Sequence, residues 1–92
     1  MEGNYTYIAS AGDNQVVTAS KCILKRIIVG KDVAGSVIEI SDDTADGDVT
    51  LISKIEGSTL KGVYEFNVCC KKGLTLDLTN QTGVTVVWVP SA

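Results

Sequence analysis

The chain has 92 residues, a net charge of −3 and a pI near 4.7. That length carries one domain, residues 1–92, and the acidic balance argues against DNA or RNA as the main partner, since phosphate binding needs a basic face. Hydrophobic residues make up 45% and charged residues 21%, which excludes a disordered chain.

Valine, isoleucine and threonine supply 29 residues, against 13 from leucine, alanine and methionine. β-Branched side chains pack well on pleated surfaces and lose rotamer freedom in helices, so the composition points to an all-β fold. Turn signals recur at short intervals, and apolar runs of strand length lie between them. In chain order the expected strands span 4–9, 14–19, 22–30, 35–41, 48–55, 62–70, 73–79 and 82–89. About eight antiparallel strands suit a small β-sandwich of jelly-roll type, with a pairing order that the pattern does not give. The single proline, Pro90, stands where it can end the last strand.

The first segment, 1–10, reads as an edge strand or an N-terminal arm, with Tyr5 and Tyr7 sharing one face. The run Cys22 to Val29 carries apolar residues on both faces, broken only by Lys25 and Arg26. In Val84 to Val89, Val84, Val86 and Trp88 share one face, and Val87 and Val89 join Thr85 on the other. A sheet with one wet face does not read this way. Either both faces are buried within the chain, or one meets a neighbouring subunit. The second reading makes Lys25, Ile27, Val87, Trp88 and Val89 interface residues. The clearest alternation is Leu74, Leu76 and Leu78 against Thr75 and Asp77.

NVCCKKG, 67–73, is the first candidate for chemistry. Adjacent strand residues point to opposite faces, so the Cys69 and Cys70 sulfurs diverge. The CxxC spacing is absent, and three cysteines without a histidine make a poor zinc set. Two thiols at a strand end before a solvated Lys71-Lys72 turn are the plainer reading. The Asp42 to Asp48 stretch, DDTADGD, resembles part of a calcium loop, yet serine stands at position 53, where that pattern wants glutamate. A plain turn is expected, with weak cation binding as the alternative.

No histidine is present, so Ser-His-Asp and Cys-His catalysis are unavailable, and no phosphate-binding glycine loop follows a strand. No enzyme activity, cofactor or metal is expected. No apolar run is long enough to span a membrane, and the first residues lack signal-peptide character, so synthesis and folding in a cytoplasm are expected. Sugar binding through exposed aromatics is the rival to a purely structural role. Tyr5 and Tyr7 are its candidates, while Trp88 is expected to be packed.

The runs KCILKRIIVGKDVAGSVIEISDDTADGDVTLISKIEG and VYEFNVCCKKGLTLDLTNQTGVTVVWV together resemble small β-sandwich virion proteins of tailed bacteriophages. The resemblance covers roughly residues 20–89 and carries no catalytic signature. It implies a head decoration, or cement, protein. Such a protein binds the major capsid protein on the outer shell, is often a homotrimer, and is assembled in the host bacterial cytoplasm. Asn4, Tyr5, Tyr7, Lys71 and Lys72 are the expected capsid contacts. A glycan- or receptor-binding module of a fibre is the alternative.

Overall fold

The computed structural model describes residues 4–43 and 51–91. Eight strands lie among them: β1 (Asn4–Ile8), β2 (Gly12–Thr18), β3 (Cys22–Val29), β4 (Ser36–Ser41), β5 (Leu51–Gly57), β6 (Gly62–Cys70), β7 (Leu74–Thr79) and β8 (Val84–Pro90). They form two four-stranded sheets, ordered β1-β8-β3-β6 and β2-β7-β4-β5. Every pairing is antiparallel. The partners β1 with β8, β2 with β7, β3 with β6 and β4 with β5 nest along the chain like one long hairpin. The contacts of β3 with β8 and of β4 with β7 roll that hairpin into two sheets. This is the jelly-roll arrangement. Among the described residues no helix is long and apolar enough to cross a membrane.

The core follows from strand periodicity. Leu74, Leu76 and Leu78 of β7 and their neighbours Ile38 and Ile40 of β4 are buried in one cluster with Leu24, Ile27 and Val29 of β3 and Val84 and Val86 of β8 from the other sheet. Tyr64, Phe66, Trp88, Ile52 and Ile55 pack at its rim. Tyr64 and Phe66 therefore lie on the core side expected of them, and Trp88 is packed. Complete burial of a leucine or valine contributes about 1.5–3 kcal/mol, so this cluster carries most of the favourable term.

A bulge explains the two-faced run of β3. Leu24 stands opposite Trp88 of β8 and Val68 of β6, but Arg26 stands opposite Val87 and Glu65. Thus β3 has one extra residue against β8, and β6 has one extra against β3. The alternation restarts there: Cys22 and Leu24 face the core, then Ile27 and Val29. Ile27, expected at an interface, is fully buried and belongs to the core. Lys25 and Arg26 are both half-buried where the phase changes.

Asn67 supplies the backbone for the bulge in β6, with φ of 57°. Asparagine tolerates the left-handed region because its short amide bonds locally, whereas a β-branched residue does not. Asn67→Gly should stay within a few tenths of a kcal/mol of the parent, and Asn67→Val should cost about 1–2 kcal/mol. Urea unfolding of both variants checks this.

Boundaries differ from expectation at β2 and β5. The Gly12-Asp13-Asn14 turn signal lies inside β2, where Asn14 has φ of 51° and the register against β7 shifts between Gly12 and Gln15. Turn chemistry here makes a strand irregularity, and the pairing continues through it. β5 runs on to Gly57, and the first residues expected in that strand, 48–50, lie outside the described residues.

Candidate functional site

The outer face of the β1-β8-β3-β6 sheet presents three cross-strand rows. Tyr5, Val87, Arg26 and Glu65 form one. Tyr7, Thr85, Ile28 and Val63 form the second, and Val89, Ile23 and Cys69 the third. Tyr5 is 75% exposed, Tyr7 60% and Val63 58%. The only charges in these rows meet each other, with Arg26 Nε donating to Glu65 Oε2 at 3.0 Å. In water such a pair contributes about 0–1 kcal/mol, so it cancels two charges on the face more than it holds the fold; Lys25 stands beside it in the bulge.

The opposite outer face is mostly polar. Its rows are Thr79-Val37-Glu56, Asp77-Glu39-Lys54 and Val16-Thr75-Ser41-Leu51. Asp77 and Glu39 stand directly across from each other. The Asn14 N–H donates to Asp77, and Lys54 flanks Glu39. Among the described residues, two rows of this sheet are mostly polar, while in the third Thr75 and Ser41 are buried between exposed Val16 and Leu51; the other sheet displays Tyr5, Tyr7 and Val63. Contiguous apolar surface rimmed by polar groups marks an interaction site.

The expected contact residues divide into two groups. Asn4, Tyr5 and Tyr7 lie on β1 and are exposed. Val87 and Val89 lie half-buried on the same outer face as the tyrosines. Trp88 points the other way, against the core, and its Nε1 donates to Thr6 Oγ1 at 3.1 Å. Lys71 and Lys72 sit in the turn after β6, beyond the opposite end of that strand from Val63, the residue that shares a row with Tyr7. They do not join the tyrosines in one patch.

That turn has a structural clamp. Asp42 accepts hydrogen bonds from the backbone N–H groups of Lys71 at 2.9 Å, Lys72 at 2.9 Å and Gly73 at 3.3 Å. Burial alone would raise the Asp42 carboxyl. The three N–H donors and the Lys72 charge outweigh it and hold the group below its ordinary value. Next to it, Thr75 Oγ1 donates to the Asp43 carbonyl at 3.0 Å. The sequence offers no local signal for this clamp, because Asp42 and its donors are about thirty residues apart. Of the acidic stretch read as a turn or cation loop, 44–48 lies outside the described residues. Its first carboxylate is already committed to backbone donors.

The cysteines take the divergent arrangement expected of adjacent strand residues. Cys69 is exposed, and Cys70 is buried opposite Cys22 on β3. Burial, foremost, pushes the Cys22 thiol up and the Cys70 thiol up to about 12. Both are neutral thiols at physiological pH and poor nucleophiles. Among the described residues no three histidine, cysteine, aspartate or glutamate side chains gather as a metal site would require. Comparisons with known protein families, curated proteins and solved structures find no match to the chain.

Proposed function

We propose that this chain is a non-enzymatic assembly protein that docks through the outer face of its β1-β8-β3-β6 sheet. Its role on this reading is that of a capsid decoration protein, binding the outer shell of a phage head and stabilising contacts between major capsid subunits. The observation that carries it is the asymmetry of the two outer faces: among the described residues one is mostly polar, and the other displays Tyr5, Tyr7 and Val63, with Arg26 paired to Glu65. Interfaces are enriched in tyrosine, as this face is. Among the described residues, the groups with displaced ionisation, Asp42, Cys22 and Cys70, are committed to a turn and to the core, which supports binding over catalysis.

Val63→Glu tests the docking face. Val63 is more than half exposed, so the fold should tolerate the change. A charge placed in an apolar contact should weaken binding to undecorated shells of the encoding phage by roughly tenfold or more. Co-sedimentation of variant and parent with empty shells measures it. Parent-like binding by the variant would remove this face from the contact.

A second reading rests on the exposed Tyr5 and Tyr7, which stand on one side of β1 as a sugar-stacking pair would. Saturable binding to a glycan, lost in Tyr7→Ala and absent with bare shells, would favour it.

A further inference from the structure

Among the described residues four strands lie at sheet edges: β1, β6, β2 and β5. An open edge is a row of unpaired N–H and C=O groups that invites another strand, and proteins blunt it with charges or bulges. Three of the four edges are blunted. β6 carries Glu65 and the left-handed Asn67. β2 carries Asp13, the left-handed Asn14 and two register shifts. β5 carries Lys54 and Glu56 and a register shift against β4. β1 carries none of these. Its sequence, Asn-Tyr-Thr-Tyr-Ile, is uncharged, and its five residues pair with β8 in unbroken register. Among the described residues no backbone group of β1 bonds to anything beyond that ladder.

We propose that two copies of this chain pair through the outer edges of their β1 strands, antiparallel about a twofold axis at Thr6. The pairing joins two four-stranded sheets into one of eight. The strand is self-complementary in that register. Tyr5 stands across from Tyr7 of the second copy, Thr6 across from its own counterpart, and Asn4 across from Ile8. Aromatic and threonine cross-strand pairs are favourable, and a twofold contact needs the same patch on both sides. A slip of one residue would set outward Tyr5 against inward Ile8, so the alternation forbids it. Centring the axis on Tyr5 or Tyr7 keeps the faces matched but loses pairs from the five-residue strand.

The docking reading gains size from this pairing, although the pairing does not depend on it. One four-stranded face has a footprint of roughly 500 Å². A stable protein–protein contact takes about 800 Å² per partner. The joined sheet doubles the apolar face and passes that mark. The threefold assembly implied by the virion resemblance would not use the self-complementarity of β1.

Light scattering on the reduced protein at rising concentration is the test, with circular dichroism to verify folding. The expected mass is twice the 9.7 kDa chain. Tyr5→Lys with Tyr7→Lys sets like charges across the axis and should give a folded monomer. Tyr5→Lys with Tyr7→Glu sets opposite charges across the same axis and should restore the dimer. A monomer at every concentration, a trimer, or equal behaviour of the two double variants would overturn the pairing. Val63→Glu lies three strands from this edge and leaves it intact. A monomer whose shell binding is lost in Val63→Glu therefore refutes the pairing alone, and a dimer that ignores shells refutes the docking alone.

Discussion

Gly73→Ala should destabilise the protein by about 3 kcal/mol, near the upper end of what overpacking usually costs. The reason is close approach. A Cβ at Gly73 would lie 2.6 Å from the Asp43 carbonyl oxygen, 2.7 Å from the Thr18 carbonyl oxygen and 3.3 Å from Ala19 Cα. All three atoms are backbone, and they come from two other segments of the chain. Neither oxygen is free to retreat. The Asp43 carbonyl accepts from Thr75, and Thr18 is in register with Leu74. Relief would require opening the end of the β2-β7 ladder or moving the Asp42 clamp. In a domain this size 1 kcal/mol shifts the melting temperature by about 4–8 °C, so a fall of roughly 12–24 °C is expected. Gly12→Ala is the control, because its Cβ would meet only the flexible Gln15 side chain at 3.4 Å. It should melt within a few degrees of the parent. A Gly73→Ala protein as stable as the control would mean that the three segments do not meet this closely.

The contrast between those two glycines shows what was legible in the sequence. Strand content was legible wherever the period of two ran unbroken. Leu74, Leu76 and Leu78 announce β7, and Tyr64 and Phe66 announce the core side of β6. Val87 and Val89 were correctly separated from Val84 and Val86, because β8 keeps its alternation to the end. In β3 the same logic misplaces Ile27. A bulge at Lys25-Arg26 flips the phase, and its partner irregularity at Asn67 lies forty residues away. The nested pairing order was not legible for the same reason, since it joins residues such as Asn4 and Trp88 from the two ends of the chain. Tyr5 and Tyr7 could be singled out as exposed, but the pairing of charges on the face around them could not. It depends on Arg26 meeting Glu65 across two strands. Lys71 and Lys72 were legible as a turn, and only the fold shows what holds that turn in place.

Replacing the group that holds it, by Asp42→Ala, should cost roughly 2–3 kcal/mol. A charged acceptor contributes about 1.5–3 kcal/mol through each hydrogen bond, and three bonds sharing one carboxylate do not add in full. The truncation strands three backbone N–H groups at the point where the Gly73 contact allows no slack. Asp42→Asn separates charge from shape. It keeps one oxygen acceptor but turns an amide N–H₂ toward backbone donors, so it should recover little of the loss. The dependence on pH carries the signature of the charge. The folded Asp42 carboxyl lies below its ordinary value of 3.8. A depressed carboxyl stabilises the fold fully above its unfolded value, and the contribution drains as pH falls through the folded value. The stability difference between parent and Asp42→Asn should therefore be flat above about pH 5 and shrink in acid below the ordinary carboxylate range. Denaturant titrations of both proteins across that range measure it. Other carboxylates titrate there as well, but they are common to both proteins and cancel in the difference. A difference that stays constant into strong acid would assign the loss to shape alone. The Lys71-Lys72 turn would then be held by packing and not by the Asp42 charge.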